Sequence, residues 1–164
     1  IRNCLVGSEM CIRDSHKYEP GDGIILGGYK ITCKYKIVAH SDGDVLLHSI
    51  ADSILGAAGL GDIGMFFSDQ DNKNKNLDST LIIEYCLNEL NKMDLEIYNI
   101  DTTIICENPK INPHREKILE NLSAILKVPI KKIGLKATTS EKIGIIGNNE
   151  AISVQSIVNL KDIS

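Results

Sequence analysis

No apolar run in the chain approaches the roughly 18 residues that a membrane-spanning helix needs. Net positive charge is also missing: the formal value is -4 over 164 residues. That argues against the basic electrostatic footprint of a nucleic-acid binder. Phosphate ligands remain compatible if helix ends or metal ions supply the positive field locally. None of the five cysteines (Cys4, Cys11, Cys33, Cys86 and Cys106) forms a CxxC pair, and their number is odd. A disulfide framework or a four-cysteine zinc site is therefore not expected, and a reducing cytoplasm fits best. No GxGxxG pattern occurs, and the turn Gly144-Ile145-Ile146-Gly147 lacks P-loop spacing.

What is present suits one compact domain with an ordinary core, at 43% hydrophobic residues. The string CLVGSEMCIRDS, Cys4 to Ser15, resembles a translated sequencing adapter. It lacks the basic-then-apolar order of a signal peptide, so residues 1–13 are set aside as a non-native segment and 14–164 are read as a single domain. The location expected is the bacterial cytoplasm. A plastid location stays open, because the native N-terminus is then undefined.

Ile24 to Ile31 reads as a strand interrupted by Gly27 and Gly28, as at a bulge or a close backbone approach. His40-Ser41-Asp42-Gly43-Asp44 reads as a turn, with Asp44 as N-cap of a helix from about Val45 to about Ala58. Leu47, Ile50, Ala51, Ile54, Leu55 and Ala58 form its apolar stripe, while Asp44, His48 and Asp52 line up on another face. A long polar loop runs past Phe67-Ser68-Asp69-Gln70-Asp71. A second helix is predicted over Ser79 to Met93, and a third is capped by Asn112 with Pro113 in its first turn. Strands are predicted over Ile97 to Cys106, Ile133 to Ala137 and Ile152 to Leu160. The fold class is α+β, a two-layer domain with helices on one face of a mixed sheet. Apolar residues on both faces of the last strand point to a homo-oligomer.

Several clusters could carry chemistry. In an extended chain Asp14 and His16 point the same way. With His48 they make three N/O ligands and leave a fourth position open, the arrangement of a catalytic zinc site. Asp52, one turn on, is expected to orient the His48 ring. His40 and Ser41 read as a turn or as donors aimed at a phosphate. Asp62-Ile63-Gly64 is a glycine turn or a backbone site for a ligand hydroxyl. Thr138-x-x-Glu141 fits a helix capping box, and a capped helix start is also an anion site. In that reading Thr138, Thr139 and Ser140 hold a diphosphate and Glu141 binds a hard cation such as magnesium.

In this order, DSHKYEPGDGIILGG, AHSDGDVLLHSIADSILGAAGLGDIGMFFSDQD, ENPKINPH and LKATTSEKIGIIG resemble the signatures of the 2-C-methyl-D-erythritol 2,4-cyclodiphosphate synthase family. The resemblance covers about Asp14 to Leu160. It implies a homotrimer with active sites between subunits, and zinc on Asp14, His16 and His48. The implied substrate is 4-diphosphocytidyl-2-C-methyl-D-erythritol 2-phosphate, closed to a cyclic diphosphate with release of CMP. By the same resemblance His40 and Thr139 stabilise the transition state, and Ser41 contacts substrate. Asp62, Ile63, Gly64, Phe67, Ser68, Asp69, Gln70 and Asp71 meet the methylerythritol part. Cys106, Glu107, Asn108, Pro109, Lys110, Ile111 and Asn112 surround the cytosine, largely through backbone groups. Glu141 carries magnesium (or manganese).

The chain departs from the family pattern in two places. Cys11-Ile12-Arg13 replaces a glycine-rich first strand, which puts that strand in doubt. Ile145 and Asn148, counted by the resemblance among the substrate-binding positions, stand where the family often has an aromatic residue and an arginine after the TTTE motif; if that arginine contacts phosphate, Asn148 lacks its charge, and either nucleotide affinity or a central-cavity anion site is altered. Two alternatives accompany the cyclising reading: a zinc-dependent phosphohydrolase or nucleotidyl transferase giving a linear product, and an inactive zinc- and nucleotide-binding module left by the altered N-terminus.

Overall fold

A computed structural model of the chain describes residues 9–68, 74 and 76–163. Among them the strands are β1 (Glu9–Pro20), β2 (Ile24–Leu26), β3 (Tyr29–Ile31), β4 (Tyr35–Ile37), β5 (Leu95–Ile105), β6 (Ile133–Thr138) and β7 (Ala151–Asp162). The helices are α1 (Val45–Ala57), α2 (Ile63–Phe66), α3 (Ser79–Lys92), α4 (Arg115–Leu126) and α5 (Gly144–Gly147). Five strands form one sheet in the order β4-β1-β7-β5-β6, antiparallel except for the parallel pair β5 and β6. No described helix is long and apolar enough to cross a membrane.

Alternation along the strands decides which face is covered. Ile152, Val154, Val158 and Leu160 of β7, with Ile100 and Ile104 of β5, are buried against Leu47, Ile50, Ile54, Ile83, Leu90, Ile118 and Leu122 of the helices. The result is the mixed α+β, two-layer arrangement expected. The β7 side chains between them, Ser153, Gln155, Ile157 and Asn159, lie on the other face. Ile157 is the one apolar residue among these four, so the apolar outer face expected of the last strand is largely polar.

The segment Cys11-Ile12-Arg13 forms strand rather than interrupting it. Cys11 to Lys17 hold continuous antiparallel register with Ile157 to Ala151. Met10, half-buried, packs against the core, where a Cβ placed on Gly56 would fall 2.8 Å from its Cγ. Helix α1 therefore lies close on β1, the strand that carries Asp14 and His16.

Three local readings change. Gly27 and Gly28 are not a bulge: both have positive φ, 61° and 70°, and form the two-residue turn of the β2–β3 hairpin. Such a turn demands left-handed backbone at both positions, which glycine adopts without strain. Asn112 does not cap a helix; it opens a 3-10 turn over Asn112–His114, with Pro113 in that first turn and α4 following. Thr138-x-x-Glu141 is no capping box. Thr138 ends β6, Glu141 and Lys142 have φ of 53° and 62°, and α5 begins only at Gly144.

Candidate active site and metal centre

Pairing to β7 fixes the extended backbone of β1, so Asp14 and His16 project from the same face, toward α1. His48 reaches them from the first turn of α1. The helix start is set by Asp44, whose carboxylate accepts N–H groups from Leu47, Gly27 and Gly28 at 3.0, 3.0 and 2.7 Å. The N-cap reading holds, and the same side chain also seats the hairpin turn.

Asp14 Oδ2 lies 3.0 Å from His16 Nε2 and 3.7 Å from His48 Nδ1. One donor atom from each of the three residues falls within 4.8 Å of the others, close enough for one ion to touch all three. The donor set, two imidazole nitrogens and one carboxylate oxygen, suits zinc and leaves room for a further ligand. Burial pushes the Asp14 carboxyl up, but the hydrogen bond to His16 and the charge of the two neighbouring imidazoles outweigh it and hold the group well below the usual carboxylate range.

The surrounding groups orient both rings. His16 Nδ1 sits 3.1 Å from the Val38 carbonyl oxygen. His48 Nε2 sits 2.8 Å from Ser79 Oγ and 3.1 Å from Ser41 Oγ. Asp52 does not take the role expected of it. Its Oδ1 accepts the Ile63 N–H at 2.8 Å, which ties α1 to α2 instead of orienting His48.

The cluster opens into a cavity of about 330 Å³ that His40, Ser41, Ile63, Gly64, Phe67 and Asn74 also line. Residues separated by more than fifty positions in the sequence therefore share one space. Asp62 stands beside it as N-cap of α2, accepting the Met65 N–H at 3.1 Å. Ser68 is described near this loop; Asp69, Gln70 and Asp71 lie outside the described residues.

A second cavity, about 160 Å³, is lined by Cys106, Pro109, Lys110, Ile111, Asn112, Thr138 and Thr139. Burial drives the Cys106 thiol up to about 12, so it is a shape-giving group and not a nucleophile. Its S–H points at the Pro109 carbonyl, 3.5 Å away. The Asn108 carbonyl is held by the Tyr18 hydroxyl at 2.9 Å.

Glu107 turns its side chain elsewhere. Its Oε1 accepts N–H groups from Ser140 and Lys142 at 3.0 and 3.1 Å, pinning the turn that carries Thr139 and Glu141. Thr139 Oγ1 donates to Glu141 Oε1 at 2.8 Å, and Glu141 is exposed. Ile145 and Asn148 border neither of these two cavities; Ile145 lines a separate groove beside β1 and β4.

Sequence reasoning missed Ser79, Asp42, the Val38 carbonyl and the clamp made by Glu107. Ser79 stands 31 positions from His48, and no local pattern marks such a pairing.

Fold and site together define an α+β protein with a three-ligand candidate metal centre at the sheet–helix junction. The model of the YgbB family matches residues 11–161, and the chain belongs to that family. It is 47% identical over 144 residues to the 2-C-methyl-D-erythritol 2,4-cyclodiphosphate synthase of Clostridium perfringens, covering 88% of this chain and 92% of the relative. The Bifunctional enzyme IspD/IspF of Aliarcobacter butzleri is 46% identical over 148 residues, which are 90% of this chain but 40% of the relative. The chain thus spans about 40% of the length of such bifunctional relatives. The solved IspF of Plasmodium falciparum, a CDP complex, superposes with a TM-score of 0.85 at 34% identity, covering 98% of this chain and 99% of that one.

Proposed function

We propose that the chain closes 4-diphosphocytidyl-2-C-methyl-D-erythritol 2-phosphate to 2-C-methyl-D-erythritol 2,4-cyclodiphosphate, as a phosphorus–oxygen lyase of isoprenoid precursor biosynthesis. An oxygen of the 2-phosphate attacks the β-phosphorus. The bond from that phosphorus to the bridging oxygen breaks, and the oxygen leaves on CMP. The observation that carries this reading is the convergence of Asp14, His16 and His48 with His40, Ser41, Ile63 and Gly64 on one cavity. The family's cyclodiphosphate synthases supply the reaction to test.

The physical task is to bring an anionic nucleophile onto an anionic diphosphate, so positioning and charge neutralisation carry the catalysis. Zinc on Asp14, His16 and His48, and magnesium (or manganese) on Glu141, would supply Lewis-acid charge neutralisation and a template for the phosphates. A single exposed carboxylate suits magnesium, which typically takes one or two carboxylates together with substrate phosphates. His40 and Ser41 border the metal cavity as donors. Ile63 and Gly64 face the methylerythritol part there. Thr138 and Thr139 offer hydroxyls at the second cavity, where Cys106 and Pro109 to Asn112 close around a cytosine. Neither a side-chain nucleophile nor a general base is needed.

Asp14, His16 and His48 line one cavity of the chain, and Cys106, Pro109 to Asn112, Thr138 and Thr139 line another. We place the complete site between two subunits of a homotrimer, each giving one half. We place the chain in the cytoplasm, where an odd number of cysteines without CxxC spacing would stay reduced. The inactive-module alternative rested on a disrupted first strand, and the continuous register of β1 with β7 gives it no support.

Phosphorus NMR of the protein with the diphosphocytidyl substrate, zinc and magnesium tests the proposal. A cyclic diphosphate appearing in step with CMP is the expected result. CMP with a linear methylerythritol phosphate would instead identify a hydrolase.

A further inference from the structure

The imidazole of His48 is buried and held by groups from two other segments. Ser79, the first residue of α3, places Oγ 2.8 Å from His48 Nε2. The same hydroxyl lies 2.5 Å from Asp42 Oδ1. An ionised carboxylate can only accept, so the single hydroxyl proton of Ser79 is committed to Asp42. Asp42 is itself fixed as an acceptor: its Oδ2 takes the Ser79 N–H at 3.0 Å and its Oδ1 the Asp44 N–H at 3.1 Å. Ser79 Oγ therefore meets the ring as an acceptor, and His48 Nε2 must carry the proton. Ser41 Oγ, 3.1 Å from the same nitrogen, already accepts the Gly43 N–H, which leaves it able to share that proton as a weaker second acceptor.

A proton on Nε2 leaves the lone pair on Nδ1, and Nδ1 is the nitrogen that faces Asp14. His16 is arranged in the opposite sense. Its Nδ1–H donates to the Val38 carbonyl, and Nε2 is the nitrogen turned to Asp14, 3.0 Å from Oδ2. The two rings thus offer different nitrogens to the same point, and each is fixed by the partner of its other nitrogen.

We propose that Ser79 and Asp42 are positioning residues of the metal centre: the Asp42–Ser79 pair holds the His48 proton on Nε2 and so presents Nδ1 to the ion. This rests on reading Asp14, His16 and His48 as a metal site, but the proton's position can be read in metal-free protein. Ser79 belongs to none of the four signature strings, and it lies on a different helix from the ligand it serves. Removing it leaves Nε2–H with the weaker Ser41 contact and lets the ring adopt the other tautomer. Loss of an outer-shell partner of this kind lowers metal affinity about 10–100-fold.

The test has two readouts. Nitrogen-15 correlation spectra of the metal-free wild type, titrated to neutral imidazole, should show His48 as the Nε2–H tautomer; an Nδ1–H pattern overturns the proposal. Zinc affinity by chelator competition should then fall about 10–100-fold in Ser79→Ala, with circular dichroism unchanged, and recover most of the loss in Ser79→Thr, which keeps the hydroxyl. A folded Ser79→Ala with wild-type tautomer and affinity overturns the proposal. Should that variant fail to fold, Asp42→Asn decides. Its amide can donate to Ser79 Oγ and turn the Ser79 proton toward the ring, so zinc binding weakens; unchanged binding there is equally fatal. No zinc uptake by the wild type sinks the metal centre itself, and this proposal with it. Uptake by the wild type with no loss in the variants sinks only the proposal.

Discussion

Asp44 shows how much a single buried carboxylate can organise. It is fully buried, and it accepts three backbone N–H groups, one opening α1 and two in the Gly27-Gly28 turn. Removing the acceptor leaves those donors without partners, and a buried N–H without a partner is costly. Asp44→Ala should therefore lower unfolding free energy by about 2–4 kcal/mol, more than an ordinary cap, when read by urea denaturation. Asp44→Asn keeps one acceptor oxygen and should fall between. A loss below about 1 kcal/mol in the alanine variant would show that the turn finds other partners. The capping half of this role was legible, because an Asp just ahead of an apolar helical stripe has a local cause. The hairpin half was not, because Gly27 lies 17 positions away in sequence and proximity there is set by the fold. The same contrast separates Asp14 and His16, paired by the two-residue period of a strand, from Ser79.

At the scale of elements, the clamp made by Glu107 joins the end of β5 to the turn after β6. The Lys142 N–H first of all, helped by the Ser140 N–H and hydroxyl, holds the Glu107 carboxyl below its usual range against the opposing effect of desolvation. A carboxylate depressed in the folded state stabilises above its unfolded value, and that contribution is lost as pH falls through the folded value. Protection of the Ser140 to Ile143 amides, taken relative to their intrinsic exchange rates, should thus fall below the ordinary glutamate range in the wild type. In Glu107→Ala exchange should be fast at neutral pH, while zinc uptake stays normal; slow exchange in that variant would show that the turn holds itself. Glu107→Gln, retaining one carbonyl acceptor, should remove the pH dependence and keep part of the protection. The sequence suggested a capping box here because Thr-x-x-Glu is the right spelling for one. Left-handed backbone at Glu141 and Lys142 and an acceptor from 33 positions earlier won instead. The three main helices were legible through long apolar periodicity, whereas β4, three residues long, carries too few positions for any period to show.

At the scale of the whole molecule, the separation of the two cavities within one chain makes a demand that subunit mixing can test. Light scattering should first give three times the chain mass. His48→Ala then removes the metal half of each site, and Thr139→Ala removes the nucleotide half; each variant alone should be inactive. If a working site takes its halves from neighbouring subunits, the two defects complement one another. In an equimolar mixture with random exchange, about one interface in four joins an intact metal half to an intact nucleotide half in a cyclic trimer. Mixed samples should therefore recover up to about a quarter of wild-type turnover, scored as cyclic diphosphate by phosphorus NMR. Were both halves used within the same chain, no intact site could form in any mixture. Exchange confirmed by mass, without recovery, would then place the reaction inside a single subunit. It would also require the turn at Thr139 to close over the metal cavity of its own chain.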